Sequence, residues 1–263
     1  MSDIGDGAQE YQIAWRDLAK TTPLDAIREL LLPMPWLAGS LILAEWQLYP
    51  LALALSFVFF LTGLRIVHGA FHYTLGLPRR ATDLVMFCFS LVMLGSMHAV
   101  QWNHLHHHRH CLADDDIEAI GARRSGLGAI ALGPWFPLRL HQVALRAANT
   151  RTRRWIAAEL AANLLWLPLL LGPLASGVWR YHVLAMALGQ SLTAFFAVWT
   201  VHHDCPPGVV ARTIRSRLKS TITFDMFYHL EHHLYPAVPT AQLRRLAERI
   251  DAAQPGMRRL TVW

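Results

Sequence analysis

Four apolar runs, each close to the roughly 20 residues that cross a bilayer, limit what this chain can fold into. They cover residues 31–48, 51–67, 155–171 and 181–201. The second is the cleanest, broken only by Ser56, Thr62 and Arg65, and Arg65 stands where a long side chain can snorkel out at a span end. The third carries Glu159 and Asn163 as interruptions near its start. Short turns at 47–50 and 172–177 join the runs into two helical hairpins. A soluble domain carries about 25% charged residues, whereas this chain has 16% against 54% hydrophobic. That balance argues against a soluble fold and excludes disorder. The expected fold class is all-α: a polytopic membrane protein with about four transmembrane helices in two hairpins, forming a single domain over 1–263.

Residues 84–97 are also apolar but too short to span, so they read as an interfacial or re-entrant helix. Two hairpins place both termini and the loop 68–154 on one side. Of the 24 Lys and Arg residues, 22 fall there, the exceptions being Arg65 and Arg180. Basic residues collect on the cytoplasmic side. The expectation is therefore an integral protein of the inner (plasma) membrane with both termini cytoplasmic. The net charge of +6 is a consequence of that topology and needs no nucleic-acid partner. Residues 1–20 lack the basic-then-apolar layout of a cleavable signal peptide. Three scattered cysteines are too few for a disulfide framework. From Thr240 the tail reads as an amphipathic helix, with Leu243, Leu246 and Ile250 on one face and Arg244, Arg245 and Arg249 on the other.

Histidine is the compositional anomaly: 13 of the 15 lie in 68–110, 202–203 and 229–233. His68 and His72 form an HxxxH, and His104, His107 and His108 an HxxHH. His229, His232 and His233 repeat the HxxHH. Residues three and four apart share a helix face, so each cluster can aim several imidazoles at one ion. Three such clusters, all assigned to the same membrane face, point to a histidine-rich helical cap that binds metal. Eight rings exceed the needs of one ion. Two ions with four or five ligands each would use eight or nine, with His202 the best ninth. His203, His106 and His110 leave the register open, His98 is a candidate support, and His141 and His182 read as surface or interface residues. Imidazole suits zinc, copper, iron and nickel. The paired Glu-x-x-His carboxylate pattern of ferritin-like bundles is absent. Asp114, Asp115, Asp116, Glu118, Asp204, Asp225 and Glu231 are the nearby acids able to hold imidazole N–H groups.

The stretch from His229 through Leu-Glu-His-His-Leu-Tyr-Pro to Pro239 resembles the third histidine box of the membrane fatty acid desaturase superfamily, which includes carotenoid ketolases and hydroxylases. His104 to Glu118 resembles the second box and its acidic follow-on, and Ala211-Arg-Thr213 resembles a segment preceding the third box. The resemblance runs from about residue 51 to 246. It implies two non-haem iron ions held by the boxes, O2 as oxidant, and two electrons from a separate carrier, ferredoxin-like or cytochrome b5-like. In this chain the implied ligands are His68, His72, His104, His107, His108, His202, His229, His232 and His233. The first box lacks the Asp that often comes after its first histidine, and the second has extra histidines.

The function expected from these features is O2-dependent introduction of a double bond into a fatty acyl chain entering from the bilayer. The alternative is a carotenoid or other lipid hydroxylase or ketolase of the same superfamily, to which the short chain is closer. A metal carrier without enzymatic activity is the remote alternative.

Overall fold

The computed structural model describes residues 13–206, 208–255, 257 and 259–262. Residues 1–12, which begin the segment read as lacking a signal peptide, lie outside the described residues. Among the described residues the chain is helical, with a single isolated bridge between Thr213 and Thr261.

Helix α1 (Pro23–Leu31) opens on a reciprocal cap between Thr22 and Asp25, and α2 (Met34–Glu45) continues its direction past Pro33. Together they are long and apolar enough to cross a membrane, as are α3 (Tyr49–Phe71), α8 (Thr150–Leu171) and α9 (Gly177–His202). The first of these begins at Pro23 rather than at residue 31, because the Thr22 cap and Pro at the first helical position start a helix upstream of the apolar run. Leu164, Leu165 and Leu169 of α8 are 73%, 76% and 67% exposed. That outward apolar face has no protein partner and is suited to lipid. In the apolar layer, Ser40 of α2, Ser56 of α3 and Tyr181 of α9 form a ring of hydroxyl contacts at 2.7–3.0 Å. Each such bond contributes about 0.6–2 kcal/mol between helices in lipid.

Arg65 does not snorkel. It is buried, donating through Nε to Glu29 at 2.9 Å and through Nη1 to the Phe224 carbonyl. Glu29 belongs to the upstream helix that the apolar run did not reveal, so the sequence showed no partner for the guanidinium.

Between the hairpins, α4 (Arg79–Met93) and α5 (Met97–His110) meet at a 113° bend. The apolar stretch 84–97 is thus the second half of one helix plus a corner. A sharp corner strands the last carbonyls of the first helix and the first N–H groups of the second, and both need partners in an apolar layer. Side chains from other helices supply them. Asn163 donates to the Ser90 carbonyl, His182 to Val92 and Gln190 to Met93, at 3.2, 2.9 and 2.9 Å. On the α5 side, fully buried Glu159 accepts from Ser96 Oγ, His98 N and His98 Nδ1. His141 Nε2 accepts from Ser96 N at 2.8 Å. The polar interruptions in the third run therefore fasten the corner. His182 and His141, read from the sequence as surface or interface residues, serve it as well, His182 buried and His141 half-buried, and His98 belongs to it rather than to the histidine clusters.

Helices α6 (Gly126–Leu132) and α7 (Phe136–Ala147) pack beside α9. A Cβ at Gly133 would stand 1.7 Å from the Ser191 backbone oxygen. Neither backbone can yield cheaply, so Gly133→Ala is expected to cost about 3 kcal/mol and to lower the melting temperature in detergent. An unchanged midpoint would mean that these helices do not approach this closely.

Candidate metal centre

The three boxes arrive on separate elements: the end of α3, the second half of α5, and the short α11 (His229–Leu234) after α10 (Arg217–Ile222). Helix α12 (Leu243–Ala253) buries Leu243, Leu246, Ala247 and Ile250 against this cap, the face read from the sequence. Chain ties hold the third box beside the end of α9. Arg212 N donates to Val201 O, and Leu230 N to Arg212 O. Thr213 and Arg215 both donate to buried Glu231.

The structure brings all nine implied imidazoles together in two adjoining groups. His68, His72, His104, His108 and His232 offer nitrogens within 4.8 Å of one another. Nε2–Nε2 distances there are 3.0 Å for His104–His72, 3.2 Å for His108–His104 and 2.9 Å for His232–His108. His107, His202 and His233 converge in the second group, and His229 Nε2 lies 3.0 Å from His202 and 3.2 Å from His233. The i and i+4 rings of each HxxHH serve one group, while the i+3 ring, turned around the helix, reaches the other. The second and third boxes thereby interlock. His203 is excluded, as it stacks on Trp199 and bonds that residue's carbonyl. His106 and His110 stack on each other beside Asp115, apart from the nine.

Two of the seven nearby acids hold rings of the clusters. Asp116 accepts from His107 Nδ1 at 2.7 Å, and Glu118 meets His104 Nδ1 at 2.8 Å. Burial pushes the Asp116 carboxyl up, but bonds from His107, Leu112 N and Ala119 N outweigh it and hold it below the usual range. Burial pushes Glu118 up to about 7. Asp115 bonds only the outlying His106 and His110. Asp225 pairs with Arg244, and Glu231 with Arg215. His202 Nδ1 donates to the Val210 carbonyl at 2.8 Å.

These outer bonds test whether a cation fits. His107 and His202 spend their Nδ1–H on acceptors, so in the neutral rings each Nε2 carries a lone pair. The two Nε2 atoms nevertheless face each other at 3.1 Å. Opposed lone pairs repel unless a proton or a metal ion lies between them. Nitrogens about 2.1 Å from a shared ion stand about 3.0–3.4 Å apart, the spacing found in both groups. His68 Nε2, buried with no hydrogen-bond partner, is a further orphan that an ion would satisfy. The residues present fit a two-ion centre.

Cys111, one turn past His107, was not anticipated at the site. Its Sγ is 3.9 Å from His107 Nε2 and donates to the Val210 carbonyl. A thiol that keeps its proton for a carbonyl is a poorer ligand than His229. The His107/Cys111 spacing of four was the available signal.

An apolar cavity of about 90 Å³ abuts the clusters. Leu61, Leu64, Phe136, Leu140, Phe196 and Val198 line it, with His68, His104 and His229 at its histidine end. Part of its wall is a π turn, Ala194–Trp199, in α9. Such a turn rotates the residues beyond it relative to a regular helix, and His202 lies three residues past it.

Helices that can cross a bilayer, imidazoles gathered on three boxes and an apolar cavity beside them define a membrane protein of the histidine-box type, with clusters able to hold metal. The family model for fatty acid desaturases matches residues 44–263, and the chain belongs to that family. No curated protein matches the chain. Family membership makes it an integral-membrane oxidoreductase with a lipid substrate, from a family that uses iron, and its histidine clusters are able to hold metal.

Proposed function

We propose that the protein is a membrane-bound di-iron, O2-dependent desaturase that introduces a double bond into a fatty acyl chain. The observation that carries this reading is the adjacency of the apolar cavity to both imidazole groups. His68, His72, His104, His108 and His232 would hold one iron, and His107, His202, His229 and His233 the other. Two irons, when bound, would supply with O2 and two external electrons the power to take hydrogen from an unactivated C–H bond, which redox-inert zinc does not. The protein's own residues do the rest. Asp116, Glu118 and the Val210 carbonyl fix the rings. The cavity wall excludes water and holds an alkyl chain against the histidine end. The electrons come from a separate ferredoxin-like or cytochrome b5-like carrier. The charge split supports a cytoplasmic cap and cytoplasmic termini in an inner (plasma) membrane, with α4 and α5 forming a re-entrant corner within one domain.

The acyl-chain reading is tested by supplying 18O2, a saturated acyl substrate and a compatible reductant, then weighing the products. Loss of two mass units, with label only in water, is expected. Label retained in the product, or turnover only of a carotenoid, would assign a hydroxylase or ketolase instead.

A further inference from the structure

On the side of α5 opposite the histidine clusters lies a second cavity, polar and about 250 Å³ in volume. Gln101, Trp102, Leu105 and Arg109 of α5 form one wall, in register with the outward face of that helix. Arg79 from the first turn of α4 and Arg151 from the first turn of α8 form the rim.

Two features make this an anion site rather than a solvated groove, and a third leaves an acceptor for a hydroxyl of the ligand. Its charge is one-sided: Arg79, Arg109 and Arg151 face a single acid, Asp83, whose two oxygens are already taken by Tyr73 Oη at 2.9 Å and Arg151 at 2.6 Å. Two long helices begin at it. Neither α4 nor α8 has an acidic residue in its first turn, and α4 has no side-chain cap, so both present unneutralised positive ends. On its lining, His98 is buried to 2% exposure, and its Nε2 has no hydrogen-bond partner, lying 3.7 Å from Asp83. The opposite edge of that ring is pinned by Glu159, and its face is stacked on Trp155 at 4.9 Å. With its Nδ1–H spent on Glu159, the neutral His98 ring carries a lone pair at Nε2, so its free edge is an acceptor to which a hydroxyl of the phosphate, or of the group attached to it, can donate.

We propose that this cavity binds a phosphate group. Guanidinium forks match phosphate oxygens in pairs, and two helix N-termini add to the same preference. The volume exceeds a bare carboxylate and leaves room for the group to which the phosphate is attached. Because the site includes the first turn of a helix able to cross the membrane, it stands at the level of lipid headgroups, where basic pockets between spans bind anionic heads. A phospholipid headgroup and a soluble phosphate share this chemistry, and the test separates them. The proposal is independent of the metal centre.

The test uses the full-length protein in detergent, titrated at constant ionic strength with short-chain phosphatidylglycerol and, separately, with inorganic phosphate, reading thermal midpoint and native mass. A saturable shift with one molecule per chain is expected for at least one probe. Response to the lipid alone assigns the headgroup, to inorganic phosphate alone a soluble ligand, and to both the phosphate as the recognised element. The paired variant Arg79→Gln/Arg109→Gln should weaken binding at least tenfold. Arg153→Gln/Arg154→Gln, which removes the same charge outside the cavity, should change it less than twofold. Arg109→Gln alone, at an exposed position with no ion pair, should weaken binding several-fold without risk to folding. No saturable response to either probe, or equal weakening by the two paired variants, would overturn the proposal.

Discussion

Replacing His232 with Ala is expected to abolish turnover while leaving a folded, membrane-inserted protein. The His232 ring lies 4.1 Å from His68 and its Nε2 is 2.9 Å from His108, so the contacts it gives up are those of the first imidazole group. Five rings become four there, and the ring lost is the one the third box lends across to that group. Loss of a residue that merely orients a ligand lowers metal affinity or activity about 10- to 100-fold, and loss of a ligand exceeds that. Asp116→Asn supplies the graded comparison. The amide still accepts from His107 Nδ1 but without charge, and a loss in the 10- to 100-fold range is expected. Turnover of both variants, with helical content checked by circular dichroism, decides the matter. A His232→Ala protein retaining more than a tenth of wild-type activity would show that this ring does not hold metal.

Glu159→Ala carries the largest structural effect. The carboxylate is fully buried in α8 and receives three donors from the first turn of α5. Alanine strands all three in an apolar layer, and each unsatisfied buried group costs about 1–3 kcal/mol. A loss of at least about 3 kcal/mol corresponds to a fall of about 6–12 °C in the melting temperature for a chain of this size. The same corner aims α5, so His104, His107 and His108 lose their register as well. Melting and metal retention should therefore fall together. Full metal loading with an unshifted midpoint would contradict the role of the corner.

The gathering of the histidines was legible in the sequence because their spacing is local: residues three and four apart on a helix face one way whatever the rest of the chain does. The division of labour within the boxes was not. That His107 joins His202 while His104 and His108 join His72 depends on how α3, α5, α9 and α11 meet, and no short-range pattern encodes this. Asp116 and Glu118 could be seen as nearby acids but not singled out from the other five. The apolar runs announced the helices able to cross a membrane, yet the same hydropathy reading made Glu159, Asn163 and His182 look incidental and did not single out Gln190. Their partners include backbone groups some 60 to 100 residues away, at a corner inside a stretch that read only as one short interfacial or re-entrant helix. Arg65 misled for the same reason: at the end of an apolar run it looks free to reach water, while its carboxylate partner sits in a polar helix upstream.

The most direct test of the two-ion centre is metal analysis of active protein purified without added chelator, by elemental mass spectrometry normalised to chain concentration. Two irons per chain are expected, falling in parallel with activity when iron is removed and returning together when it is restored. One zinc and no iron in protein that still turns over would contradict the account.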